Sequence, residues 1–317
     1  MTEIKELTEL TELTELREIA PDIFLLKIPL PLSVNHVNVY IFRGRIPTLL
    51  DTGTNTPEVL GMIQTALKQL GIKKLEQVLT THWHVDHAGG ALALAQQGAR
   101  VYIGAQDYSE WQSFAKGETF ELFRDWAGQE WEAPTDIVEG MIKIYDKLRR
   151  MTAWPEGVEK LEPLQTVQAG NYVLRSIPTP GHTVGHLAFY EETQRMLFSG
   201  DMLLPDQVPY PGIWLEEGKV TSGLPSHLQS LSTMEKLKAR EYYPAHGDPQ
   251  ANPEVRCQEV RDQIFRQVER YDPTVSVYEG ALRLGQGKVN PGVLFMQLHY
   301  VYGWKKLYEL EKSRKKM

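Results

Sequence analysis

The chain of 317 residues contains a single cysteine, Cys257, which excludes an internal disulfide. One thiol and an acidic, Leu/Thr-rich start without the basic and apolar parts of a signal peptide favour a cytoplasmic location. No apolar run approaches the about 18 residues that a membrane-spanning helix needs, so no membrane contact is expected. The formal net charge of −7 gives no general attraction to nucleic acid. With 42% hydrophobic and 24% charged residues, the composition is that of an ordinary globular protein.

One short segment departs from this ordinary background. His82-Trp83-His84-Val85-Asp86-His87 places three imidazoles and a carboxylate in six positions, directly after an apolar run. Imidazole and carboxylate groups are the ligands that zinc and similar divalent ions prefer. In a strand, His82 and His84 would point to the same side, because side chains repeat every two residues. We expect Asp86 and His87 to turn back in the following loop, where they can serve a second metal.

Three further donors follow predicted strands and lie next to glycine or proline. They are His182 in Pro-Gly-His-Thr, Asp201 in Phe-Ser-Gly-Asp, and His246 in Tyr-Pro-Ala-His-Gly. Glycine and proline allow tight turns near a ligand. Donors that leave strand ends along one edge of a sheet can converge on one point, so these three are expected to join the first four. His186, four residues past His182, is interpreted as a core histidine and not as a ligand.

In order and in local context, this set resembles the metallo-β-lactamase-fold hydrolase superfamily. The resemblance covers about residues 22–250 and includes the preceding Asp51-Thr52-Gly53. It implies an α+β fold, a four-layer αββα sandwich, and a dinuclear centre. It also implies a role for each donor: His82, His84 and His182 hold the first metal; Asp86, His87 and His246 hold the second; Asp201 bridges the two. Asp51 is expected to accept a hydrogen bond from a ligand histidine and so to orient it.

The expected cofactors are two divalent ions, with zinc favoured and iron or manganese as alternatives. Two such ions share a water and lower its pKa, and the resulting hydroxide attacks a carbonyl carbon or a phosphorus. Asp86 is expected to orient this hydroxide as well as to bind metal. The predicted activity is hydrolysis of an ester, a thioester or a similar small-molecule substrate, with a closed, partly apolar pocket favoured by the aromatic residues after position 105.

Several members of the superfamily can be compared with this chain. Asp201 argues against a true β-lactamase, and His84 stands where diiron flavoproteins have glutamate. The ligands resemble those of glyoxalase II, whereas the context of Asp201 looks closer to the group that includes the β-lactamase-like protein 2 endoribonucleases; Met202 departs from their usual histidine. Three alternatives therefore stay open: phosphodiester cleavage of RNA, favoured by the basic C-terminal end; a mononuclear iron dioxygenase of persulfides; and a non-catalytic binding module.

The chain is predicted to have three parts. Residues 1–20 form a Thr-Glu-Leu repeat tail without stable structure of its own, since a three-residue repeat drifts around a helix. Residues 21–250 form the catalytic domain, with a helical insertion at about 105–165 whose tryptophans are interpreted mainly as core. Residues 251–317 form a helical C-terminal region, for which the β-lactamase-like protein 2 resemblance suggests a winged-helix-like form. The tail and the terminal helices could support a homodimer.

Overall fold

The computed structural model describes residues 16–30, 35–216, 219–287 and 291–316, and all structural statements below refer to these residues. The strands are β1 Leu16–Ala20, β2 Ile23–Pro29, β3 His36–Phe42, β4 Thr48–Leu50, β5 Gln77–Leu79, β6 Arg100–Gly104, β7 Glu159–Leu161, β8 Thr166–Ala169, β9 Tyr172–Pro178, β10 Leu187–Glu191, β11 Met196–Gly200, β12 Ile213–Glu216, β13 Lys219–Ser222, β14 Glu241–Pro244 and β15 Gln250–Ala251. The helices are α1 Pro57–Gln69, α2 Val85–Ala88, α3 Ala91–Gln96, α4 Asp107–Lys116, α5 Thr119–Glu130, α6 Thr135–Arg149, α7 Leu224–Lys236, α8 Pro253–Arg270, α9 Val277–Leu284 and α10 Pro291–Lys316.

Two large sheets form the centre of the molecule. The first contains seven strands in chain order, β1 to β7, and the second contains six strands in the order β15-β14-β11-β10-β9-β8. In the first sheet, β1 to β4 pair antiparallel, whereas β4 to β7 pair parallel through the helical crossovers. Parallel pairing brings the carboxyl ends of β4, β5 and β6 to one edge, which is where the metal-binding motif follows β5.

Strand periodicity explains how the sheets stack. In β2, Ile23 and Leu25 face the second sheet and join a core cluster that also contains Phe189 and Phe198. The intervening Phe24 and Leu26 join a separate cluster under α1 and α3. The outer face of the second sheet packs against α7 and α8. Alternate side chains therefore fill different cores, and the result is the expected α+β fold with helix, sheet, sheet and helix layers.

The insertion and the C-terminal helices share a fourth core cluster. It joins Trp131 and Met141 from the insertion to Leu294, Leu298 and Tyr302 from α10. The two segments are far apart in the chain but form one helical layer beside the sandwich. The short hairpin β12–β13 packs against the same layer, and the described residues after Ala251 are helical and contain no strand pair. As expected, Trp111 and Trp131 are fully buried.

Some local expectations are corrected. The strand before the motif ends at Leu79, and Asp86 and His87 lie in the short helix α2 instead of a loop. Leu16–Ala20 forms the edge strand β1 where an unstructured tail was expected, because pairing with β2 satisfies its backbone; the tail up to residue 15 lies outside the described residues. No described helix has the length and apolarity to cross a membrane.

Candidate metal centre

All seven predicted donors meet at one edge of the sandwich. His82 and His84 lie in the bends between β5 and α2, and α2 carries Asp86 and His87. The other three follow strands of the second sheet: His182 comes after β9, Asp201 directly after β11, and His246 after β14. The donor atoms form groups that fit a metal ion: His82, His84 and His182; His82, His87 and Asp201; and Asp86, His87 and His246.

The first group consists of three imidazole nitrogens. His84 Nδ1 lies 2.9 Å from His82 Nε2 and 2.9 Å from His182 Nε2. The three donor nitrogens all lie within 4.8 Å of one another, so a single ion could contact all of them. Burial lowers the pKa of all three imidazoles, so the neutral form that binds metal is favoured.

The second group combines imidazole with carboxylate. Asp86 Oδ2 lies 3.6 Å from His87 Nε2 and 3.6 Å from His246 Nε2. Burial acts to lower the pKa of His87, but Asp86, Asp201 and Asp51 around it raise that pKa to about 10. The carboxylates thus create a potential that attracts positive charge strongly, and a divalent cation would satisfy it in place of a proton.

Asp201 lies between the two groups. Its Oδ2 is 3.3 Å from His182 Nε2 of the first group, whereas its Oδ1 is 3.3 Å from His246 Nε2 and 3.6 Å from His87 Nε2 of the second. Burial acts to raise the pKa of Asp201, but His246 and His87 hold it well below its ordinary value, which keeps the carboxylate ionised. One side chain therefore offers an oxygen to each group.

Two of these donor atoms have no hydrogen-bond partner among the described residues. His87 Nε2 and Asp201 Oδ1 are both buried and unpaired. A buried polar atom without a partner costs about 1–3 kcal/mol, so such atoms are rare in stable folds unless something else satisfies them. Both atoms point into the donor cluster, and a metal ion there would supply the missing interaction. The residues therefore fit a metal centre.

Four of the five histidines are held by their second ring nitrogen. His82 Nδ1 contacts Thr81 Oγ1 at 3.0 Å, and His87 Nδ1 contacts Asp51 Oδ2 at 3.0 Å. The other two rings meet backbone carbonyls, His182 Nδ1 with Tyr210 at 3.0 Å and His246 Nδ1 with His36 at 2.6 Å. Each contact fixes the ring so that Nε2 faces the cluster, which is how proteins orient histidine ligands.

Asp51 makes the kind of contact that the sequence suggested. Its Oδ2 meets His87, while its two oxygens also accept hydrogen bonds from Thr81 N at 2.7 Å and Thr81 Oγ1 at 2.9 Å. The residue has a positive φ of 63°, a conformation that aspartate tolerates better than most residues. It thereby links two ligand-bearing segments, the end of β5 and helix α2.

His186 lies beside the donor cluster but faces away from it. Its Nδ1 contacts Thr179 Oγ1 at 2.9 Å, and its Nε2 accepts a hydrogen bond from the Asp201 backbone N–H at 3.2 Å. Both ring nitrogens are therefore occupied within the protein. This is the core position that was expected, and it helps to fix the backbone of Asp201.

Asp107 is a site residue that sequence reasoning missed. It is fully buried at the start of α4 and accepts hydrogen bonds from Trp83 N, Thr183 Oγ1 and Gly185 N at 3.3, 2.7 and 2.5 Å. Its carboxylate thus ties the loop of His82 and His84 to the loop of His182. Because these loops are about 100 residues apart in the chain, no local pattern could have indicated the link.

A cavity of about 710 Å³ opens onto the donors. His84, Asp86, His182, Asp201 and His246 lie on one wall. The other walls come from the insertion, the 204–214 segment and α10, and include Phe114, Met141, Ile144, Tyr145, Leu148, Tyr210, Ile213, Phe295 and Met296. Its volume is in the range of small-molecule sites. The segments that surround the donors therefore shape a substrate-sized space.

Comparison with known proteins agrees with this geometry. The family model of the metallo-beta-lactamase superfamily matches residues 32–246. The chain is 26% identical over 246 residues to a Bacillus subtilis protein named "Probable metallo-hydrolase YqjP", with 72% of each chain covered. It is 26% identical over 252 residues to "Thioesterase pkgB" of Emericella nidulans, a match that covers 78% of this chain and 57% of that protein. A metallo-beta-lactamase family protein of Thermus thermophilus has a solved structure that superposes with a TM-score of 0.79 at 26% identity, covering 94% of this chain and 95% of that one.

Proposed function

The chain belongs to the metallo-beta-lactamase superfamily of metal-dependent hydrolases, and we propose that it is a dinuclear hydrolase of carboxylic esters or thioesters. The observation that carries the proposal is the placement of Asp201, whose two oxygens each lie 3.3 Å from a histidine nitrogen of a different donor group. A single mononuclear site would need only one of these groups. Zinc is the ion that we assign, because five imidazoles and two carboxylates suit it.

The protein's own groups have distinct tasks in this proposal. When bound, two divalent ions activate water as a nucleophile and polarise the carbonyl group under attack. His82, His84 and His182 would hold one ion, Asp86, His87 and His246 would hold the other, and Asp201 would offer one oxygen to each. Asp86 is also assigned to orient the attacking water. Asp51 and the carbonyls of His36 and Tyr210 keep the rings in place.

The lining of the cavity supports a carbonyl substrate over a phosphodiester. None of the described residues that line it is lysine or arginine. A nucleic-acid backbone is usually bound through several such cations, which neutralise its phosphates. Esters and thioesters carry no charge at the reacting group and need no such partner. The thioesterase name of one relative points in the same direction.

A substrate panel tests the proposal. We expect p-nitrophenyl esters and acyl thioesters to be hydrolysed, activity to disappear with a chelator and to return with zinc, and bis-p-nitrophenyl phosphate to be left intact. His84→Ala should lower kcat/KM at least about 100-fold, since metal-site changes of this kind act at that scale. Activity confined to the phosphodiester, wild-type activity in His84→Ala, or one iron per chain with oxygen uptake on a persulfide would each overturn it.

A further inference from the structure

Several aromatic side chains line the cavity together with aliphatic ones, and five of the aromatic rings form a closed circuit with the donor histidines. The centroid of the Trp83 ring lies 4.7 Å from that of the donor His84 and 4.9 Å from that of Phe114. Phe114 lies 6.2 Å from Tyr145, and Tyr145 lies 5.0 Å from Phe295. We call Trp83, Phe114, Tyr145, Phe295 and Tyr210 the aromatic collar.

Tyr210 closes the circuit. Its ring lies 6.1 Å from Phe295 on one side and 4.6 Å from His182 and 6.2 Å from His84 on the other. The collar thus draws on the metal-binding motif, the insertion, the 204–214 segment and α10. Apart from the stacked pair of Tyr210 and His84, these rings meet in the edge-on and tilted arrangements that aromatic pairs prefer, so they form a packed part of the wall.

The described part of the cavity wall contains no lysine or arginine that could form an ion pair with an anion. Apart from the donors, its only acidic residue is Glu110, which accepts a hydrogen bond from Trp83 Nε1 at 3.1 Å. Burial, and then the neighbouring Asp107, raise the pKa of Glu110 to about 8. His299, which also lines the cavity, donates a hydrogen bond from Nδ1 to the Phe295 carbonyl at 2.9 Å, and burial lowers its pKa to about 4. Both groups are therefore mainly uncharged at neutral pH.

We propose that the aromatic collar selects substrates whose acyl group is large, apolar and uncharged, an inference that rests on the proposed function and specifies its substrate class. The reacting carbonyl lies at the donors, and the acyl chain lies along Ile144, Tyr145 and Phe295. Burial of each methylene there strengthens binding, whereas a carboxylate on the chain loses its water without gaining a cation. Short and anionic acyl groups are poor substrates for this reason.

The test uses metal-loaded protein and thioesters that share one uncharged thiol, N-acetylcysteamine, and differ only in the acyl group. From acetyl to hexanoyl, kcat/KM should rise about two- to fourfold per methylene, and decanoyl should be at least as good as hexanoyl. Adipoyl, which matches hexanoyl in length but ends in a carboxylate, should be at least about 100-fold worse than hexanoyl. A flat series, or adipoyl equal to hexanoyl, would overturn the inference.

A matched pair of variants locates the effect. Ile144→Lys adds a cation to the cavity wall on α6. It should reduce the ratio of kcat/KM for the hexanoyl thioester to kcat/KM for the adipoyl thioester at least about tenfold, because the adipoyl carboxylate gains a cationic partner. Ile137→Lys makes the same change on the same helix at a partly buried residue that does not line the cavity, and it should leave the ratio unchanged. Equal ratios in wild type and Ile144→Lys, with the variant folded by circular dichroism, would contradict the placement of the acyl chain.

The outcomes separate this inference from the proposed function. If acetyl thioester is cleaved but chain length has no effect, the hydrolase proposal stands and the collar does not select the acyl group. If metal-loaded protein cleaves neither a thioester nor a p-nitrophenyl ester, both fail. Calorimetry gives a reading without hydrolysis: octanamide should bind more tightly than acetamide, with a negative heat-capacity change. Equal affinity for the two amides would again overturn the inference.

Discussion

Asp201 is the residue on which the two donor groups depend most. Its Oδ2 lies 3.3 Å from a nitrogen of the first group and its Oδ1 lies 3.3 Å from a nitrogen of the second. Asp201→Asn keeps the shape but removes the negative charge and one acceptor, so we expect weaker metal binding and at least about a 100-fold loss of kcat/KM. Metal content by elemental analysis and steady-state kinetics measure the two effects.

A control for this variant is Asp262→Asn on α8, where the carboxylate is exposed and accepts a hydrogen bond from Gln258. Metal content and kcat/KM should equal those of wild type. If Asp201→Asn also retained full metal content and activity, the role given to this carboxylate would be wrong.

Asp107 acts by joining the loop of His82 and His84 to the loop of His182. Asp107→Asn keeps one acceptor oxygen, whereas the carboxylate accepts three hydrogen bonds, so at least one buried donor loses its partner. We expect a loss of about 1–3 kcal/mol in the free energy of unfolding and a 10–100-fold weaker metal affinity. Chelator competition measures the affinity; a variant that loses stability but binds metal as wild type does would limit Asp107 to a structural role.

Single residues differ in how well the sequence predicts them. The seven donors could be named because four lie within six positions and the other three occur in turn-forming contexts that follow strands. Asp107, Glu110 and Tyr210 could not, because their contacts reach across segments that only the tertiary fold brings together. The carbonyl of His36 that meets His246 is part of the backbone, and no side-chain pattern could reveal it.

At the scale of elements, α10 links stability to the shape of the cavity. Leu298 is fully buried against the insertion, and its neighbours Phe295 and His299 line the cavity. Leu298→Ala should cost about 2–5 kcal/mol in the free energy of unfolding and should also lower the preference for long acyl chains, because the wall loses support. Urea unfolding and the thioester series measure both.

Leu231→Ala is the matched control. Leu231 is also fully buried, but on α7 beneath the second sheet. Leu231→Ala should lower the free energy of unfolding by a similar amount and leave the preference for long acyl chains unchanged. An equal change of preference in the two variants would show that the effect comes from general destabilisation.

The same helix predicts a dependence of stability on pH. Burial lowers the pKa of His299 to about 4, below its ordinary value of 6.5. Between these two values the unfolded chain binds a proton that the folded chain does not, so His299 makes stability fall as the pH drops through this window, by about 1 kcal/mol per pH unit. His299→Phe should therefore show a shallower loss between pH 6.5 and pH 4.5 in urea unfolding; equal slopes would contradict the prediction.

Helices with a clear hydrophobic periodicity could be predicted from the sequence. Strands that form only by pairing with a neighbouring strand could be predicted less well. Helix α1 starts after Thr56, and the Thr56 hydroxyl accepts a hydrogen bond from Val59 N. Threonine is a preferred N-cap residue, so the sequence indicates this helix start. The motif after β5 was expected to continue the strand, but it bends and starts α2, since the donors must turn toward the second sheet. The edge strand β1 forms by pairing with β2, and a three-residue repeat gives no sign of that partner.

At the scale of the whole molecule, the four-layer sandwich follows from the family resemblance and is confirmed by the fold. The position of the insertion does not follow from it. The contacts between the insertion and α10 join segments more than 140 residues apart, and they shape a large part of the cavity. The metal-binding chemistry could therefore be predicted from the short motif at residues 82–87. The proposal of a substrate class needed the tertiary structure. The division into three parts stays a prediction, and so does a homodimer.

The central claim is that one chain holds two metal ions at the seven donors. Native mass spectrometry of zinc-reconstituted protein counts these ions directly. We expect about two ions per chain in the wild type and about one in His246→Ala, which removes a donor of the second group only. One ion or none in the folded wild type, with no further binding at excess zinc, would contradict the account.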